Sequence, residues 1–158
     1  MRINQLNEER IATLHPKLRP KVAQFLRACE AQDNDILITC GMRTVQQQNE
    51  LYAQGRTKPG KKVTWVRGGG SYHNYGLAFD IVPLDAMNKA EWDPNNPEWL
   101  KAAVIAEQLG FEWGGRWKKN RDLPHFQMTA GYTYKELLAI FQQGGIQAVW
   151  AAVDKRLK

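Results

Sequence analysis

The sequence predicts an α+β domain: a small, mainly antiparallel central sheet flanked by helices. Three observations predict it. Apolar residues recur at helical spacing at both ends of the chain. Short β-branched or alternating runs, ILITC (36–40), LAFDIV (77–82) and LPHFQM (123–128), occupy the middle. The length of 158 residues, 43% hydrophobic and 24% charged, suits one domain that buries a proper core without disulfide staples.

The elements follow in order. Ile3, Leu6, Ile11 and Leu14 mark a helix before Pro16, and Val22, Phe25, Leu26 and Cys29 mark a second after Pro20. ILITC, closed by Gly41, reads as a buried strand. Thr44 can cap a polar helix from Val45 to about Ala53. A glycine- and lysine-rich loop, GRTKPGKK, leads to the strand-like VTWV (63–66) and the run Gly68–Gly70. In LAFDIV, Leu77, Phe79 and Ile81 face one side, and Ala78, Asp80 and Val82 the other. PEWLKAAVIAEQLG is a helix with Pro97 near its first turn and Gly110 as its stop. FEWGGRW then leads into LPHFQM. Two closing helices, Tyr134 to Gln143 and Ile146 to Leu157, are broken by Gly144-Gly145. No repeat or linker divides the chain, so residues 1–158 are expected to form a single domain.

Charge narrows the partners. Lys and Arg number 22 against 16 Asp and Glu, a formal net charge of +6 that suits an anionic polymer or surface. No nucleic-acid-binding motif accompanies the charge, so nucleic acid is not expected as a partner. No stretch is apolar enough for a transmembrane segment, and the N-terminus lacks a signal peptide's hydrophobic block, so synthesis in the cytoplasm is expected. Cys29 and Cys40 lack CxxC spacing, which argues against a disulfide framework or a cysteine-based zinc site.

Two of the three histidines sit in polar, glycine-containing contexts. Ser71–Asp80 reads SxHxxGxAxD, and Asp122–His125 reads DxxH. If the strands around Asp80 and His125 are neighbours, their large apolar residues form the core face and Asp80 meets His125 on the open face. A bend at Gly76 would return His73 to that face. Two imidazoles and a carboxylate form the three-ligand set of a catalytic zinc site with one position open. Pro124 favours a bend that could bring Asp122 to the same place, where it could take a proton from an attacking water and pass it to a leaving amine. Spacing alone balances this set against an ordinary strand histidine and a capping aspartate.

The joint pattern goes further. SYHNYGLAFD with DLPH resembles the signature of the zinc D-Ala-D-Ala carboxypeptidase and L-alanyl-D-glutamate endopeptidase family, which includes peptidoglycan-cutting bacteriophage endolysins. GMRTVQQQNELY (41–52) and FEWGGRW (111–117) resemble its flanking segments, so the similarity spans about residues 36–128, with 129–158 expected as C-terminal helices packing on that core. The resemblance implies a Zn2+ cofactor held by His73, Asp80 and His125, with Asp122 as general base. It implies that Arg43 positions substrate or stabilises the polarised carbonyl, that Ser71 orients the site, and that Gln48 supports Arg43. An ion pair anchoring the 45–53 helix is the competing role for Arg43. Among six tryptophans, Trp65, Trp113 and Trp117 lie near the motif segments and are candidates to wall a cleft or stack on substrate. Met42 stands where the family commonly has an aromatic, and Arg116 where an acidic or polar residue is common. An Asp at 122, rather than Glu, resembles the endopeptidase and endolysin branch. The expected activity is cleavage of the L-Ala–D-Glu bond of peptidoglycan by a monomeric phage or prophage endolysin. It would be made in the host cytoplasm without a separate wall-binding domain and reach the wall through a permeabilised inner membrane. The rivals are a D-Ala-D-Ala carboxypeptidase or dipeptidase, and a zinc-stabilised cell-wall-binding module without catalysis. The basic loop Arg56–Lys62 reads first as a solvated face, and second as an attractor for the anionic wall.

Overall fold

The computed structural model describes residues 2–157. In chain order it contains α1 (Arg2–Ile11), α2 (Arg19–Glu30), β1 (Ile36–Cys40), α3 (Val45–Ala53), β2 (Ala78–Pro83), α4 (Glu98–Gln108), β3 (Glu112–Trp113), β4 (His125–Gln127) and α5 (Tyr134–Asp154). The strands form one sheet in the order β1-β2-β4-β3, with every neighbouring pair antiparallel. The α+β expectation holds. No helix among the described residues is long and apolar enough to cross a membrane.

Period-two alternation gives the sheet one apolar face. Phe79, Ile81, Ile38 and Phe126 are fully buried there, while Asp80 on β2 points to the opposite face. Phe79 stacks on Phe126 with ring centroids 5.6 Å apart, and Phe25 of α2 and Trp113 of β3 pack around the pair. This aromatic cluster fixes the lateral position of β2 against β4, because a slip of one residue would turn Phe126 out of the core.

The outer edge of β1 is closed by side chains rather than by another strand. Asn7 of α1, itself buried, donates from Nδ2 to the Ile36 carbonyl (2.9 Å) and accepts at Oδ1 from the Ile38 amide (2.7 Å). Arg10 donates to the Ile38 carbonyl. One carboxamide thus reproduces a strand's hydrogen-bonding pattern and protects the edge from further pairing.

VTWV is not a strand. Its backbone is taken by side chains: Gln48 Nε2 donates to the Val66 carbonyl (2.8 Å), and Arg56 Nη2 to the Thr64 carbonyl (3.1 Å). With one sheet edge covered by α1, the segment's β propensity finds no partner strand. Within α5 two helical segments meet at Gly145, whose φ of 71° and ψ of −167° are not helical, so the break expected at Gly144-Gly145 is present as a kink between them.

α5 clamps the turn that leads into β2. Trp150 Nε1 donates to the Tyr75 carbonyl (2.8 Å), and Tyr72 Oη to the Tyr132 carbonyl just ahead of α5 (2.6 Å). His15 is wholly buried between the two ends of the chain. Its backbone amide donates to the Gly76 carbonyl (2.9 Å), and its Nδ1 accepts from the Lys17 amide (3.1 Å). Nε2 therefore carries the proton, which faces the Trp150 carbonyl and Asp154. Burial holds this imidazole below its ordinary value near 6.5, opposing the pull of the Trp150 carbonyl and Asp154. An unfolded chain takes up a proton that the folded chain resists, so the stabilisation is complete above about pH 6.5 and is lost as pH falls below it. The thermal unfolding midpoint of the wild type should therefore drop between pH 7.5 and 5 more steeply than that of His15→Gln, as followed by circular dichroism. Parallel pH profiles would contradict this.

Candidate metal centre

The centre is built on one cross-strand register. Asp80 of β2 pairs directly with His125 of β4, so their side chains share the open face of the sheet. His73 comes from a single 3-10 turn, Tyr72–Tyr75, that precedes β2. Ser71 caps that turn, its Oγ accepting from the His73 amide (3.3 Å), and the buried Asn74 carboxamide accepts from the Gly69 and Ser71 amides. The turn ends at Gly76, whose φ of 69° is the left-handed conformation that lets the chain double back into β2. This is the return that the sequence reading placed at Gly76.

Two imidazoles converge on a single carboxylate oxygen. Asp80 Oδ1 lies 3.1 Å from His73 Nε2 and 3.2 Å from His125 Nδ1, and the two imidazoles meet edge to face with centroids 5.0 Å apart. The rest of each ring is already committed. His73 Nδ1 donates to the Gly41 carbonyl (2.9 Å), so its Nε2 presents a lone pair to the centre. His125 Nε2 lies 2.7 Å from Gln127 Oε1. The Gln127 amide nitrogen donates to Glu112 Oε2 (2.7 Å), which fixes the carboxamide with its oxygen toward His125. His125 therefore donates from Nε2 and presents a lone pair at Nδ1.

Each imidazole nitrogen faces the same carboxylate oxygen with a lone pair, and each such pairing is repulsive unless a cation or proton joins it. Zinc ligands at 2.0–2.1 Å in tetrahedral geometry stand about 3.3 Å apart, close to the separations around Asp80. Both imidazoles are oriented by carbonyl-type acceptors behind them, the arrangement that metal-ligating histidines use. The donor set fits zinc. In the metal-free chain a proton meets the same attraction. Burial alone would lower the His73 value, but Asp80 and Cys40 outweigh it and push it up to about 10. Asp80 is held well below the usual carboxylate range: its two histidine partners overcome the opposing effect of burial.

Cys40 also belongs to this neighbourhood, which the sequence reading did not foresee. A bulge between Ile38 and Cys40 shifts the β1 register and sets Cys40 opposite Asp80. One ligand atom each from Cys40, His73 and Asp80 lie within 4.8 Å of one another. Its sulfur, however, sits 3.8 Å from His73 Nδ1, on the side of the ring that serves Gly41. That group of three does not include His125, which joins the centre through Asp80 Oδ1, while Cys40 lies behind the His73 ring.

An open cleft of about 690 Å³ runs over these groups, lined also by Arg43, Gln48, Ser71, Trp117 and Asp122. Arg43 donates from Nη1 to Gln48 Oε1 (3.0 Å) and from Nη2 to Cys40 Sγ (3.5 Å). Gln48 is itself buried and anchored to Thr64 and Val66. No carboxylate lies within ion-pair reach of Arg43 among the described residues, so the competing anchor role lacks its partner. Asp122 enters the cleft wall through the turn closed by His125 N–H to the Asp122 carbonyl (3.2 Å). Its loop presses on Gly114, where a Cβ would sit 2.4 Å from the Asp122 carbonyl oxygen, so the glycine is required for that approach. Burial first, then the charge of Asp80, raises the Asp122 carboxyl above its ordinary value and makes it a stronger base.

Trp117 stands at the cleft, its ring 5.3 Å from that of His125 and its Nε1 donating to Glu112 Oε2 (3.0 Å). Trp113 does not reach the cleft: it is buried on the core face, stacked on Phe126, and donates to the Leu123 carbonyl. Sequence reasoning missed Glu112, which holds both Trp117 and Gln127. Its importance follows from the Glu112–Gln127 register, which no local motif displays.

Comparisons with known proteins agree on one group. Residues 66–128 match the family described as D-alanyl-D-alanine carboxypeptidase. The peptidoglycan L-alanyl-D-glutamate endopeptidase CwlK of Bacillus subtilis is 43% identical over 122 residues, 73% of either chain. The L-alanyl-D-glutamate peptidase of a Listeria phage is 31% identical over 62% of this chain and 32% of its own length, so this chain spans about a third of that protein. Among solved structures, the L-Ala D-Glu endopeptidase ChiX of Serratia marcescens superposes with a TM-score of 0.57 at 26% identity, covering 78% of this chain and 86% of its own.

The Glu112–Gln127–His125 relay carries a direct test. Gln127→Leu frees the His125 tautomer and should weaken zinc affinity about 10- to 100-fold in competition with a chromophoric chelator. Unchanged affinity would show that the relay does not orient the ligand.

Proposed function

The chain belongs to the D-alanyl-D-alanine carboxypeptidase and L-alanyl-D-glutamate endopeptidase family, and from that membership we propose that it is a zinc-dependent peptidoglycan endopeptidase cutting the L-Ala–D-Glu bond. It is a metallopeptidase of the endopeptidase type, as its 43% identity to CwlK indicates. The observation that carries the zinc reading is the convergence of His73, Asp80 and His125 on one point, with the other nitrogen of each imidazole already engaged. When bound there, zinc supplies Lewis acidity that polarises a peptide carbonyl and acidifies water.

The remaining chemistry falls to this chain's side chains. Asp122 accepts the proton of the attacking water at a carboxylate oxygen and returns it to the nitrogen of the leaving amine. Arg43 donates from its guanidinium to the oxygen on which negative charge develops, or to a substrate carboxylate. Gln48 holds Arg43 in that orientation, and Ser71 holds the turn that presents His73. Trp117 lines the cleft beside His125 and offers an apolar wall against which the substrate can pack.

Similarity to a phage peptidase supports a role as a phage or prophage endolysin in host lysis. The matching family's own description keeps a second reading open, removal of a terminal D-alanine. Mass spectrometry of digested sacculi separates them: the endopeptidase creates new N-terminal D-Glu, whereas the carboxypeptidase releases free D-Ala.

Asp122→Asn tests the assignment of the base. Its turnover of sacculi should fall by about 10²–10⁴, while one zinc per chain is retained. Full activity would remove Asp122 from the reaction.

A further inference from the structure

The segment that failed to become a strand is exposed in an unusual way. Val63, Trp65 and Val66 are 57%, 76% and 36% exposed, although Val63 and Val66 also line the cleft. Apolar side chains are thus held in water beside the metal centre. The backbone beneath them is pinned by Gln48 and Arg56, so the exposure is built into the fold.

Cations surround that apolar strip. The Arg56 guanidinium lies 3.8 Å over the Tyr52 ring and 5.4 Å from the Trp65 ring, while Nη1 donates to the Tyr52 carbonyl (2.6 Å). Lys62 Nζ is 5.6 Å from Trp65, and Arg67 lies 5.2 Å over Tyr52. Residues 52–67 carry five basic side chains, Arg56, Lys58, Lys61, Lys62 and Arg67, and no acidic one, against a net charge of +6 for the whole chain. Most of the excess charge is thus concentrated on the exposed segment that flanks the cleft, which itself meets the cleft through Val63, Thr64 and Val66.

An aromatic plate flanked by ammonium and guanidinium groups matches a particular kind of ligand: a sugar ring, whose C–H face is apolar, on a chain bearing carboxylates. The L-Ala–D-Glu bond lies one residue and a lactyl ether from the muramyl sugar, about 7 Å along an extended chain. The sugar must then rest beside the cleft, within reach of the segment that borders it at Val63 and Val66. We propose that the 52–67 surface is the docking platform for the glycan strand, with Trp65 stacking on a sugar and Lys61 and Lys62 pairing with its pendant carboxylates. This rests on the peptidoglycan reading above and adds a subsite to it.

Trp65→Ala and the double variant Lys61→Gln/Lys62→Gln test the platform, since both act on exposed side chains outside the core. Hydrolysis is measured on a free stem peptide and on the same peptide attached to uncross-linked glycan strands. Trp65→Ala should lower kcat/KM on the glycan-linked substrate by about tenfold and leave turnover of the free peptide at the wild-type level. In the Asp122→Asn background, Trp65→Ala should also reduce cosedimentation with sacculi. The lysine variant should do the same at low salt, its effect fading as salt rises. Equal losses on both substrates, or no loss on either, would overturn the platform and leave the endopeptidase intact. Loss of binding to phosphatidylglycerol vesicles or DNA, with sacculi unaffected, would also overturn it by assigning the surface to another polymer. If the wild type cleaves neither substrate, the function itself fails and the platform with it.

Discussion

Everything in this molecule turns on the crowding of two imidazole lone pairs against the Asp80 carboxylate. Such a trio is unstable in isolation, because each lone pair repels the carboxylate oxygen it faces unless a positive charge lies between them. The fold bears this because the opposite nitrogen of each ring is secured, His73 by the Gly41 carbonyl and His125 by Gln127 with Glu112 behind it. The strands supply the spacing. The Asp80–His125 pair is a directly opposed cross-strand pair, and the Phe79–Phe126 stack on the reverse face locks that register.

The same logic explains the remote parts of the chain. α5 lies on the far side of the His73 turn, yet Trp150 and Tyr72 tie that turn to it. Buried His15 joins the N-terminal helices to the same turn through the Gly76 carbonyl. α1 closes the β1 edge and so steadies the strand whose end presents Gly41 to His73. Each terminus thus contributes to holding one imidazole in place.

Much of this was legible in the sequence, for identifiable reasons. Alternation in LAFDIV and HFQM separated a core face from a polar face, and the glycine after HNY announced the turn back. The convergence of His73, Asp80 and His125 followed from those two patterns. VTWV misled because β-branched composition reports propensity and not the presence of a partner strand. Trp113 misled in the opposite sense: proximity to a motif suggested the cleft, whereas its place on β3 sends it into the aromatic stack. Cys40 and Glu112 were invisible as members of the centre. One depends on a bulge and the other on a cross-strand register, and neither is a local property of sequence.

Anomalous diffraction at the zinc absorption edge, from crystals of the chain grown with zinc, tests the central claim most directly. The account predicts one strong peak within about 2.0–2.2 Å of His73 Nε2, an Asp80 carboxylate oxygen and His125 Nδ1. A peak on Cys40 Sγ and His73 Nδ1, or no peak among these side chains, would contradict it.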